Sequence, residues 1–158
     1  MSKKYNLYLG KAGQFAVMSH FLMRGWNVAV PEVDVGDDLL VVEDKKGIFF
    51  RVQVKTSQAV ERSGGYSVQF NLSLAQIQSF TDPEIYFVFV ICRNNQWTNL
   101  LVIPREELSD LHTEYKVGSV VNEQLVLYFT FKENEIICSK VNFTRFHNNF
   151  EDFPLILH

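Results

Sequence analysis

A chain of 158 residues that is 47% hydrophobic and 14% aromatic, with fourteen Phe, can bury a substantial core, which excludes a disordered polypeptide. Its net charge of −3 excludes coating of nucleic acid or an anionic membrane by bulk electrostatics, so any nucleic-acid contact has to be a local patch. No apolar run approaches the roughly 20 residues of a membrane span, and Met1-Ser2-Lys3-Lys4-Tyr5 lacks the apolar core of a signal peptide, which points to a cytoplasmic protein without a membrane partner.

Within residues 11–24, Ala12, Phe15, Ala16, Leu22 and Met23 stand at helical spacing, and Gly25 follows where a C-cap glycine belongs. This predicts a first helix packed on a sheet, with Gln14 off the stripe beside Met18 and Phe21, pointing along the sheet edge. Residues 27–30 read as a short buried strand ended by Pro31. Two apolar, β-branched runs, 38–43 and 48–56, then flank the polar Asp44-Lys45-Lys46-Gly47 and predict a β-hairpin. A turn of two or four residues makes facing residue numbers sum to 91 and sets Asp38 opposite Gln53. Their Cβ atoms would be roughly 5 Å apart, with the diagonal neighbour Lys55 roughly 7–8 Å away on the same face. An odd turn would move Asp38 to the other face.

After Ser63-Gly64-Gly65, the alternation of Tyr66, Val68, Phe70 and Leu72 predicts a half-buried strand. Ser73 with Gln76 three residues on matches a capping box for a short helix over 74–80. The continuous apolar run 85–92 predicts the most buried strand of the sheet. A turn at 93–96 leads into a strand over 97–103, and Pro104 opens a helix over 105–111 with acids in its first turn. A last hairpin spans 125–131 and 136–141, and the aromatic tail 143–158 is expected to pack on the body or on a partner. Trp26 and Trp97 read as core residues. Cys92 and Cys138 lie in apolar strand-like runs without metal-ligand spacing and read as reduced core thiols. His20, His112, His147 and His158 stand without partners at a recognised spacing and read as structural or surface residues. Gly10, Lys11 and Gly13 lack the spacing of a phosphate loop. The element order suggests an α/β fold with helices on a mixed sheet, in one domain over residues 1–158.

Three segments carry the chemistry: G-K-A-G-Q in the first helix, D-D-L-L-V-V on one strand and Q-V-K-T-S on the next. Together they resemble the PD-(D/E)XK nuclease superfamily, the restriction-endonuclease-like or tRNA-endonuclease-like fold, and are similar to the branch in which QxK replaces (D/E)xK, known among intron-encoded homing endonucleases. The resemblance implies a mixed central β-sheet flanked by helices, with an αβββαβ core over about residues 10–92 and an extension over 93–158 that carries the C-terminal hairpin. It implies a Mg²⁺- or Mn²⁺-dependent endonuclease that hydrolyses phosphodiester bonds of DNA, without a small-molecule cofactor. Carboxylate oxygens then hold the cation against the phosphate, and a lysine orients water or stabilises developing charge.

Carried over by position, Asp38 takes the place of the metal-binding aspartate, Gln53 the second acidic position and Lys55 the motif lysine. The backbone carbonyl of Val54 is a further metal ligand, Gln14 stands where a helix glutamate is often found, and Asp37 and Ser57 flank the site. Amides at 14 and 53 leave Asp38 as the one formal negative charge, unless Asp37 or Asp34 turns toward the site. Two alternatives therefore stand beside the nuclease: a catalytically inactive nuclease fold that binds nucleic acid or protein, and an unrelated α/β regulatory protein, which Asp38 and Lys55 on opposite sheet faces would reveal. Asp37-Asp38 after Gly36 is also ordinary turn chemistry. A duplex cutter needs two sites, which points to a homodimer with the aromatic tail as its interface.

Overall fold

The computed structural model describes residues 2–33 and 36–158. Its first element, α1 (Lys3–Met23), starts where the Ser2 hydroxyl accepts the Tyr5 N–H at 3.2 Å, and it ends before Gly25, whose φ of +83° suits glycine. Strands β1 (Asn27–Ala29), β2 (Leu39–Glu43) and β3 (Ile48–Gln58) follow, then β4 (Val60–Arg62), β5 (Gly65–Ser73) and the short α2 (Leu74–Gln78). The chain continues through β6 (Ile85–Arg93), β7 (Gln96–Pro104), α3 (Arg105–Tyr115), β8 (Ser119–Val121), β9 (Gln124–Lys132), β10 (Glu135–Cys138) and β11 (Val141–Asn142).

The strands form two sheets. The first has the order β1-β2-β3-β6-β7 and is mixed, because β3 and β6 are parallel and the other pairs antiparallel. The second has the order β11-β10-β9-β5-β4, with β8 also paired to β9. α1 covers one face of the first sheet over a core that includes Val17, Phe21, Trp26, Val52, Val88 and Phe153. The other face meets the second sheet, with Phe70 edge-on to Phe89 at 4.8 Å, while α2 and α3 supply Ile77, Leu108 and Leu111 to the same core. The expected α/β architecture is thus present, and its second face is closed by a sheet as well as by helices.

Three local expectations change. The buried stripe of α1 is Gly13, Val17 and Phe21, whereas Phe15, Leu22 and Met23 are exposed. The reason is the close approach of Gly13 to β3: a Cβ there would lie 1.9 Å from Thr56 Oγ1, so only glycine lets the helix sit this low. β1 is an edge strand with an exposed pattern rather than a buried one. Trp26 is core but Trp97 is 42% exposed. The tail buries Phe143, Phe146, Phe150 and Phe153 in the chain's own core, the packing on the body that is one of the two placements expected for it.

Cys92 and Cys138 are buried and free, and burial pushes the Cys138 thiol up, as for an unreactive core residue. The histidines make structural contacts: His20 stacks on Phe150, His112 Nδ1 lies 2.7 Å from the Val117 carbonyl, His147 bonds Asn99 and His158 bonds the Gly25 carbonyl. Among the described residues no helix is long and apolar enough to cross a membrane.

Candidate active site

The β2–β3 hairpin has a four-residue turn, and its facing residue numbers sum to 91, from Leu39 opposite Val52 to Glu43 opposite Ile48. The residue before β2 is Asp38, whose N–H donates to the Val52 carbonyl at 2.9 Å, so that it meets β3 beside the Leu39–Val52 pair at the end of the ladder. Beyond that point β2 has ended and the edge of β3 would be bare. The Asp38 side chain takes over: its Oδ2 accepts the Val54 N–H at 2.6 Å, a charge-assisted bond where the next strand pair would have been. The N–H and C=O of one strand residue point to the same side, so the Val54 carbonyl opens toward the same edge.

Side-chain alternation separates the two faces of β3. Phe50, Val52 and Val54 belong to the core under α1. Arg51, Gln53, Lys55 and Ser57 take the opposite face, in parallel register with Ile85, Phe87, Phe89 and Ile91. Gln53 and Lys55 thus share one side of the sheet, and the Asp38 carboxylate meets β3 at the Val54 N–H, the residue between them. Gln53 is buried, and its Oε1 is a buried acceptor without a donor among the described residues. Lys55 is half-buried and Ser57 lies one alternation further along the same face.

The remaining sequence-derived residues are placed as follows. Gln14 Nε2 donates to the Asp38 backbone carbonyl at 3.1 Å, and Lys11 Nζ donates to Gln14 Oε1 at 2.9 Å. Asp37 is buried and its Oδ2 is paired to Arg51 Nε at 2.7 Å, so its charge is already balanced, while its Oδ1 lacks a donor among the described residues. Asp34 lies outside the described residues. One contact has no counterpart in the sequence reading: Gln76 on α2 donates from Nε2 to the Gly36 carbonyl at 2.9 Å. The capping role of Ser73 was legible, since its hydroxyl accepts the Gln76 N–H at 3.4 Å, but the reach of the Gln76 side chain across forty positions had no local signal.

For a divalent cation the oxygens on offer are the Asp38 carboxylate, the orphaned Gln53 amide oxygen and the Val54 carbonyl of β3. Among the described residues no group of three or more His, Cys, Asp or Glu gathers to hold a metal. All-oxygen donors with a single carboxylate fit Mg²⁺ or Mn²⁺, which are commonly held by one or two carboxylates and completed by substrate phosphate. The orphaned Gln53 oxygen fits this, because a buried acceptor without a donor costs free energy that a cation would offset.

Comparison with known proteins agrees with the fold. A family model described as PD-(D/E)XK endonuclease matches residues 3–126. Among solved structures, that of a bacterial homing endonuclease, I-Ssp6803I, is similar at 26% sequence identity with a TM-score of 0.50, covering 84% of this chain and 76% of that one. No curated protein matches significantly.

Proposed function

The chain belongs to the PD-(D/E)XK endonuclease family, and from that premise we propose that it is a divalent-metal-dependent endonuclease that hydrolyses phosphodiester bonds of DNA. The observation that carries this reading is the bond of the Asp38 carboxylate to the Val54 N–H, between Gln53 and Lys55, at the point where β2 ends. Asp38, Gln53 Oε1 and the Val54 carbonyl would hold Mg²⁺ or Mn²⁺. When bound, that ion would neutralise phosphate charge and favour ionisation of a nearby water. Lys55 makes no ion pair or hydrogen bond among the described residues, so its ammonium is available to orient the attacking water or to balance charge on the phosphate oxygens. Ser57 extends the polar face for substrate, and Asp37 keeps Arg51 in place beside it. A single carboxylate makes the site dependent on phosphate charge to complete it, so metal and DNA should bind cooperatively. Cleavage of both strands of a duplex requires two such sites, which a homodimer would supply.

The test is cleavage of plasmid, branched and single-stranded DNA with Mg²⁺ or Mn²⁺. Lys55→Ala and Asp38→Ala are each expected to lower the rate about a hundred- to a thousandfold. Cleavage that survives both substitutions places the chemistry elsewhere. A second reading, a nuclease fold that binds DNA without cutting it, is favoured by the one-carboxylate donor set. It would appear as DNA binding by the wild-type protein with no cleavage under any metal.

A further inference from the structure

We infer that Gln14 and Gln76 are a pair of positioning residues, a two-amide clamp that fixes the segment Gly36–Asp38 from two different helices; toward metal, this rests on the nuclease reading. Gln14 donates from α1 to the Asp38 carbonyl, and Gln76 donates from α2 to the Gly36 carbonyl. The two grips fall on either side of Asp37, so the backbone that carries the Asp38 carboxylate is tied at both ends. This segment lies ahead of β2, and Asp38 N–H bonds the Val52 carbonyl of β3. The amide bonds hold the backbone on which the Asp38–Val54 bond depends.

The chemistry of position 14 follows. A carboxylate there would set negative oxygen against the Asp38 carbonyl oxygen, whereas an amide supplies the donor the contact needs. Lys11 fixes which end of the amide points inward, because its ammonium donates to Gln14 Oε1 and so turns the NH₂ group toward Asp38. Gly36 completes the device: its φ is +96°, and a Cβ there would lie 3.0 Å from Gln76 Nε2. The amide at 14 is therefore matched to this backbone, and restoring a glutamate would harm the site although it adds a charge.

Two readouts test the clamp. The first needs no metal: NMR-detected amide exchange of Asp38 and Val54 in Gln14→Met and Gln76→Met, with Val88 on the neighbouring strand as reference. Exchange about tenfold faster at 38 and 54, with Val88 unchanged and the melting temperature lowered by only a few degrees, is the expected result. Unchanged exchange at both sites in either variant overturns the inference. The second is Mn²⁺ affinity of the Gln14→Glu protein by calorimetry, expected to weaken about three- to tenfold. Tighter Mn²⁺ binding would show instead that position 14 faces the cation. If the wild-type protein binds no Mn²⁺, the metal reading fails while the exchange experiment still decides the clamp.

Discussion

Strands β3 and β6 lie side by side in parallel register, yet at matched positions they carry opposite chemistry. Gln53 stands beside Phe87, Lys55 beside Phe89 and Ser57 beside Ile91. From Ile85 to Cys92, β6 is buried without interruption, and its odd-numbered side chains fill the space between the sheets. A polar residue on the corresponding face of β3 gives up that burial, and at Gln53 it also leaves an acceptor without a donor. Folding alone favours an apolar residue there, so the departure points to a role outside folding. The difference teaches where to look for a site: on the strand that breaks the pattern its neighbour keeps.

The apolar side of the comparison should show the largest effect on stability. Phe89 is fully buried and packs against Phe70 and Phe129. Phe89→Ala removes a ring with no polar compensation and should cost about 3–5 kcal/mol in urea unfolding. A loss below about 1 kcal/mol would mean that the space between the sheets collapses around the change, and that β6 is not the strand on which the fold depends.

This contrast was legible in the sequence because both strands announce themselves locally. The unbroken run 85–92 has the composition of a strand covered on both faces, and the four-residue turn fixes the hairpin register from Leu39 opposite Val52 to Glu43 opposite Ile48. What was not legible depends on long-range pairing or close approach. The pairing of β5 with β9 joins Gly65 to Lys132 and has no signature in either segment. The orientation of α1 was misread because apolar residues surround it: Tyr8, Phe15 and Leu22 make an exposed line as regular as the buried one. The available signal was small size, since Gly13 leads Val17 and Phe21 at steps of four residues. The Asp37–Arg51 pair and the Gln76–Gly36 bond join a pre-strand loop to distant elements, which no periodicity encodes.

The other face of β3 sharpens the comparison, because there the strand obeys ordinary packing. Gly13→Ala would normally gain about 1 kcal/mol in a helix interior. Here its Cβ would fall 1.9 Å from Thr56 Oγ1, on a β-branched side chain with little freedom to turn away. Overpacking of this kind costs about 1–3 kcal/mol, so the net result should be a loss of about 1–2 kcal/mol by chemical denaturation. A more stable variant would show that α1 can lift from β3 freely, and with it that Gln14 is not held against Asp38 by this contact.

The smallest expected change is the one that tests the argument most directly, because its sign is opposite to the usual effect of a core substitution. Gln53→Leu makes β3 resemble β6 at the position beside Phe87. It removes a buried acceptor that has no donor among the described residues and adds apolar burial, so stability should rise by about 1 kcal/mol, a shift of roughly 2–4 °C in melting temperature. Metal binding and cleavage should fall together, since the amide oxygen is one of the few donors beside the Asp38 carboxylate. A gain in stability with loss of metal binding would place Gln53 among residues kept at the expense of folding. A loss of stability would instead mean that the amide has satisfied partners, and that β3 differs from β6 for structural reasons alone.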